Sequence, residues 1–97
     1  MSVIDTPPDQ AAFSPQRAWR LNPQVALRDE SFGALAYHYG NRRLVFLKSR
    51  RLVTLVSTLA DYPSAAAALA ACVPEASRPA YERALARLAA SEVIDAR

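Results

Sequence analysis

The chain has 97 residues, a net charge of +3 and a composition that is 52% hydrophobic and 22% charged, which fits one small globular domain. A single cysteine, Cys72, excludes an intramolecular disulfide and a cysteine-rich zinc site. The only two glycines, Gly33 and Gly40, cannot build a phosphate-binding loop. There is also no apolar run of about 18 residues that could span a bilayer. We therefore expect a binding module, a regulator or an accessory subunit, without a cofactor or a metal.

The first 16 residues differ in composition from the rest of the chain. They are rich in Pro, Asp, Gln and Ser and have no hydrophobic periodicity, so residues 1–16 are predicted to be a disordered or loosely ordered arm. Residues 17–97 would form a single domain, to which Trp19 anchors the arm. Because the arm has no basic region before an apolar stretch, it is not a secretory signal, and a cytoplasmic protein is predicted.

Basic residues cluster in the interval between Glu30 and Asp61, which contains no acid. Five cations fall within ten residues of this interval: Arg42, Arg43, Lys48, Arg50 and Arg51. Such a cluster favours an anionic partner, and a solvated basic face explains it equally well.

Three strands are predicted between residues 25 and 47. Apolar side chains alternate from Val25 and again from Leu35 to Tyr39, which indicates strands with one buried face. Gly40-Asn41 predicts a two-residue type II′ hairpin between the second and third strands. The third strand, residues 43–47, is apolar on both faces, so it is either more buried than its neighbours or binds something else. Short connections make the three strands an antiparallel meander.

Three helices are predicted after the meander. Ser49 would cap a helix with apolar side chains at Leu52, Leu55, Val56 and Leu59, and Ser64 would cap an alanine-rich helix. Ser77, followed by Pro79, would begin the third helix. The apolar residues of the tail, 92–95, would close the core. The predicted fold is α+β, in the order β-β-β-α-α-α.

This layout resembles the winged-helix-like domain that recognises precursor peptides in peptide-modification pathways, with the pyrroloquinoline quinone chaperone as its familiar member. Residues 25–48, VALRDESFGALAYHYGNRRLVFLK, are similar to the mycofactocin-system peptide chaperones in particular. The similarity is dense over residues 19–60. The chain departs from the wider family at Asp61-Tyr62, where Asp-Gly is usual, and at residues 92–94, where Gly-Leu-Leu is frequent.

The resemblance implies a non-catalytic chaperone for mycofactocin biosynthesis. It would bind the leader of a ribosomal precursor peptide by β-augmentation, in a groove between the third strand and the third helix. It would then present the peptide to a radical S-adenosylmethionine maturase, and the iron–sulfur cluster would be bound by that enzyme. The residues expected to bind the peptide are Arg42, Arg43, Leu44, Val45, Phe46, Leu47, Lys48, Tyr81, Arg83, Ala84, Arg87 and Leu88.

Two other classes stay open at this point, a winged-helix DNA-binding regulator and an unrelated protein–protein adaptor. DNA binding is disfavoured because the third helix offers only Arg83 and Arg87, beside Glu82 and alanines, for reading bases. Catalysis is disfavoured because His38 has no neighbouring carboxylate in sequence and suits a structural role. The adjacent acids at positions 29 and 30 would point to opposite faces of a strand.

Overall fold

The computed structural model describes residues 13–97, so most of the predicted arm lies outside the described residues. In chain order, the elements are β1 (Trp19–Leu21), β2 (Val25–Glu30), β3 (Gly33–His38), β4 (Leu44–Leu47), α1 (Arg50–Thr58), α2 (Ala65–Cys72), α3 (Arg78–Ala90) and β5 (Ile94–Ala96). Short 3-10 turns at Leu59–Asp61 and Glu75–Ser77 follow α1 and precede α3. Within residues 13–97, no helix is both long enough and apolar enough to cross a membrane.

Strands β2, β3 and β4 form the predicted antiparallel meander. Leu27 is opposite Ala36, and Ala36 is opposite Val45, so these three side chains share one face of the sheet. This inner face covers the core, and the three helices that follow the meander confirm the predicted α+β order.

A second sheet, which was not predicted, joins the two ends of the described chain. Strand β1 pairs antiparallel with β5, with Trp19 opposite Ala96 and Leu21 opposite Ile94. The pairing is extended by the Arg97 amide, which donates to the Ala18 carbonyl at 3.0 Å. The tail does close the core, because Ile94 is buried, but it does so as a strand.

The loop between β3 and β4 differs from the predicted hairpin. It contains five residues, 39–43, and the left-handed residue is Arg42, with φ 64°, rather than Gly40. The buried ring of His38 explains the difference, because its Nδ1 accepts hydrogen bonds from the amides of Gly40 (2.9 Å) and Asn41 (3.1 Å). The type II′ prediction is wrong because the His38 ring, together with a bond from the Arg42 amide to the His38 carbonyl at 2.7 Å, organises a longer loop than a two-residue turn.

The predicted caps of the first two helices are confirmed. The Ser49 hydroxyl accepts from the Leu52 amide at 3.1 Å, and the Ser64 hydroxyl accepts from the Ala67 amide at 3.1 Å. The cap at Ser49 turns α1 against the inner face of the sheet. The core there is made of fully buried side chains: Ala34, Leu47, Leu55, Val56, Leu59 and Leu85.

The last residues of the predicted arm contact the domain. The rings of Phe13 and Trp19 lie 5.1 Å apart, and the Trp19 indole donates to the Ser14 carbonyl at 2.9 Å. The Pro15 carbonyl accepts from the Ala66 amide at 2.7 Å, at the beginning of α2. Trp19 therefore anchors this segment as expected. The boundary between arm and domain at residue 17 stays a prediction.

Candidate functional site

Strand β4 has an open edge. It pairs with β3 on one side and, within residues 13–97, with no strand on the other. The His38 amide donates to the Arg43 carbonyl at 3.0 Å, and hydrogen-bonded pairs alternate along an antiparallel ladder. Val45 therefore bonds to β3. The backbone N–H and C=O groups that face away from β3 belong to Leu44 and Phe46.

A groove of about 370 Å³ lies beside this edge, between the end of β4 and α3. Its α3 wall consists of residues 80, 81, 84 and 87, which helical geometry places on one face. Two of them are alanines, and their small side chains leave the groove open. The complete lining is Phe46, Lys48, Ser49, Leu52, Ala80, Tyr81, Ala84 and Arg87.

A hydrogen bond fixes the two walls of the groove relative to each other. The hydroxyls of Ser49 and Tyr81 are 2.9 Å apart, which joins the beginning of α1 to α3. Because Ser49 also caps α1, the same side chain begins the helix and positions the opposite wall. Tyr81 is half-buried, so its ring forms an apolar part of the α3 wall.

The charged residues at the groove are both cations, Lys48 and Arg87. The described residues contain two ion pairs, Arg20 with Asp95 at 3.0 Å and Arg28 with a glutamate at 2.8 Å, and neither groove cation takes part in them. Both cations are exposed. An apolar groove with a cationic rim suits an extended apolar segment that also carries carboxylates.

Five of the twelve predicted peptide-binding residues line the groove: Phe46, Lys48, Tyr81, Ala84 and Arg87. Four others are exposed outside it, namely Arg42, Arg43, Leu44 and Arg83. The remaining three point into the domain: Val45 is half-buried, and Leu47 and Leu88 belong to the core.

Sequence reasoning missed three lining residues. Ser49 and Leu52 were assigned to the cap and the buried stripe of α1, and both serve the groove as well. Ala80 lies one helical turn before Ala84, so this spacing was the signal that could have identified it.

The predicted structural role of His38 is confirmed. Its ring is buried, its Nδ1 receives the two loop amides, and its Nε2 lies 3.3 Å from the Asn22 side-chain nitrogen. Within the described residues, no group of three or more His, Cys, Asp or Glu side chains could hold a metal ion.

Comparison with known proteins finds similarity to peptide chaperones over most of the chain. Residues 18–95 match the model of the Peptide chaperone MftB family. A Mycobacterium tuberculosis protein named Peptide chaperone MftB is 48% identical over 87 residues, covering 89% of this chain and 80% of its own. Proteins of the same name from Mycobacterium ulcerans (48% over 84 residues, 86% of this chain and 77% of the relative) and Mycolicibacterium smegmatis (47% over 87 residues, 89% and 85%) are similar too. No solved structure matches the chain.

Proposed function

Because this chain belongs to the Peptide chaperone MftB family, we propose that it binds the leader of a ribosomal precursor peptide in mycofactocin biosynthesis and presents the peptide, in the cytoplasm, to a radical S-adenosylmethionine maturase. The relatives are named for a non-catalytic role, which confirms the prediction that the chain is not an enzyme. The observation that carries the proposal is the open edge of β4 beside an apolar groove.

The leader would add to the sheet as a further strand. Its backbone would bond to the outward N–H and C=O groups of Leu44 and Phe46, and each bond would contribute about 0.5–1.5 kcal/mol net. Strand β4 has four residues, so at about 3.3 Å per residue the paired segment is about 13 Å long. Alternate leader side chains would enter the groove and contact Tyr81 and Ala84, which gives the peptide its register.

The cations would select an acidic leader. Lys48 and Arg87, at the rim, would contact leader carboxylates, each exposed pair contributing about 0–1 kcal/mol. Arg42, Arg43 and Arg83 would accelerate association through their longer-range field. The remaining predicted residues, Val45, Leu47 and Leu88, would support the groove from the core.

Presentation leaves the chemistry to the partner. The iron–sulfur cluster and the S-adenosylmethionine would belong to the maturase, and this chain would fix the leader while the peptide's far end enters the enzyme. The DNA-binding alternative gains nothing from the comparisons, and the face of α3 at Ala80 and Ala84 opens on the groove rather than presenting base-reading side chains.

Amide hydrogen exchange, followed by NMR with and without a synthetic mycofactocin precursor peptide, tests the pairing. The amides of Leu44 and Phe46 should exchange quickly in the free protein and become protected when the peptide binds. The amide of Val45 bonds to β3 and should be protected in both states. Unchanged exchange at Leu44 and Phe46 in a saturated complex would rule out β-augmentation at this edge.

A pair of variants tests the same bond by calorimetry. Phe46→Ala and Phe46→Pro both remove the ring, but only proline removes the outward N–H, so the second variant should bind the peptide more weakly than the first. Circular dichroism should show both variants folded, and Val45→Pro should unfold because its amide is part of the β3 ladder. Equal affinities of the two Phe46 variants would oppose the proposal, as would tighter binding to a random DNA duplex than to the peptide.

A further inference from the structure

The large exposed hydrophobic residues of the described chain gather on one surface. Phe32, Tyr39, Leu44 and Phe46 have exposed fractions of 42%, 61%, 61% and 57%, and residues 13–97 contain no other large hydrophobic side chain as exposed as these. A monomer normally scatters such residues, and a contiguous group of them marks an interaction site.

These residues form one continuous face of the meander. Leu44 is opposite Tyr37 and Phe46 is opposite Leu35, so the half-buried β3 side chains fill the space between the exposed ones. Ring contacts join the loops to the strands, at 5.7 Å for Phe32 with Phe46 and 5.1 Å for Tyr37 with Tyr39. We call this surface the outer face: Phe32, Leu35, Tyr37, Tyr39, Leu44 and Phe46. It lies opposite the inner face that covers the core.

The border of the outer face is cationic. Arg42 and Arg43 are exposed at the end nearest Tyr39. On the β2 side, the carboxylate of Glu30 is bonded by Arg28 at 2.8 Å. The described part of this face therefore offers no unpaired carboxylate, and a partner would meet an apolar aromatic centre next to two free arginines.

We propose that the outer face docks a folded protein whose apolar patch is bordered by carboxylates, and that this protein is the enzyme that receives the peptide. The inference rests on the proposed function for the identity of that enzyme. Aromatic side chains and arginine are enriched at the centres of protein–protein interfaces, and the outer face with its border has this composition. Phe46 belongs to both the outer face and the groove, so an enzyme docked here would lie directly beside the bound leader.

Charge argues against two other occupants. A second copy docked through its own outer face would bring the same arginines and, on that face, no free carboxylate to receive them, so like charges would oppose each other. An anionic membrane is recognised by clusters of about 4–8 basic residues, whereas Arg42 and Arg43 lie at one end of this face and Lys48 lies beside Phe46 at the other.

The test measures two affinities for one variant. The double substitution Phe32→Ser and Tyr39→Ser removes outer-face side chains that do not line the groove. It should weaken binding to the purified maturase at least about tenfold and change the affinity for the precursor peptide less than about twofold. Ser57→Ala, an exposed change on α1 outside the basic cluster, is the control and should alter neither affinity. Wild-type association with the maturase should also slow as salt is raised.

Each of the other possible outcomes shows which of the two proposals fails. Unchanged maturase affinity in a variant that still binds the peptide overturns the docking face and leaves the proposed function standing. If both affinities weaken equally, the outer face is part of the peptide site. If the wild-type protein does not bind the maturase at all, the proposed partner is wrong. Failure of wild-type protein to bind the peptide refutes the proposed function itself. The double variant could also abolish self-association, or binding to phosphatidylserine vesicles, and leave the affinity for the maturase unchanged. The first result would assign the face to a second copy of the chain, and the second would assign it to a membrane.

Discussion

Gly33, the first residue of β3, occupies a position that no other side chain fits. Its φ is +147°, and a Cβ built there would lie 2.0 Å from the Leu47 carbonyl oxygen and 2.9 Å from the Ser49 nitrogen. Both neighbours are backbone atoms, one in the β3–β4 ladder and one at the cap of α1. The Gly33→Ala variant must therefore strain its own dihedral angle and also displace β4.

The expected cost follows from these two effects. A disfavoured backbone conformation costs about 1–3 kcal/mol, and overpacking a closed site costs about 1–3 kcal/mol more. A domain of this length has a total stability of roughly 5–15 kcal/mol. The loss should therefore be a large fraction of the total, and at about 4–8 °C per kcal/mol the melting temperature should fall by at least about 8 °C.

Urea unfolding followed by circular dichroism measures the loss, and Gly40→Ala provides the matched control. A Cβ at Gly40 meets side-chain atoms, Gln24 Oε1 at 2.5 Å and His38 Cε1 at 2.8 Å, and no positive φ adds strain. The control should therefore lose less stability than Gly33→Ala. If Gly33→Ala loses less than about 1 kcal/mol, or no more than the control, the argument from close backbone approach is wrong.

Three smaller effects can be measured in the same way. Ser49→Ala should lower the free energy of unfolding by about 1–3 kcal/mol, because it removes the cap of α1 and the partner of the Tyr81 hydroxyl; a neutral result would contradict both roles. The hydrogen bond between the Tyr62 hydroxyl and the Cys72 sulfur, 3.7 Å apart, raises the pKa of that phenol, so folding favours its protonated form. This contribution is complete below about pH 10 and is lost as the pH rises further, so wild type should lose more stability than Tyr62→Phe in alkaline urea titrations. Arg20→Ala breaks a half-exposed ion pair and should cost about 1 kcal/mol or less, and a loss above about 2 kcal/mol would show that the pair contributes more than a solvent-screened surface pair does.

The elements that the sequence predicted are those with strong local signals. The apolar spacing of α1, the caps at Ser49 and Ser64, and the alternation in β2 and β3 all depend on residues close to one another in the chain. The groove was predicted in outline for a different reason, because the family resemblance supplied the pairing of the third strand with the third helix. Of the five residues predicted on α3, Tyr81, Ala84 and Arg87 line the groove, whereas Arg83 and Leu88 do not, and Ala80 was missed.

The elements that were missed depend on distant contacts. Strands β1 and β5 have three residues each, too few for a period, and each exists because of a partner at the other end of the domain. The β3–β4 loop was mispredicted because Gly40-Asn41 is a strong turn signal that says nothing about the buried imidazole of His38. The outer face was invisible for a similar reason, since apolar residues on both faces of β4 do not reveal which face is covered.

The pairing of β1 with β5 has a consequence for the order of folding. Arg20 and Asp95 are 75 positions apart, whereas the hairpins of the meander are closed by short loops. Contacts at such separation require a large loop to close, so they form after the local ones. We expect substitutions in β1 or β5 to accelerate unfolding and leave the refolding rate nearly unchanged, whereas substitutions in the β2–β3 hairpin should slow refolding. The domain would then assemble from the meander outward, with the pairing of its two ends as the last event.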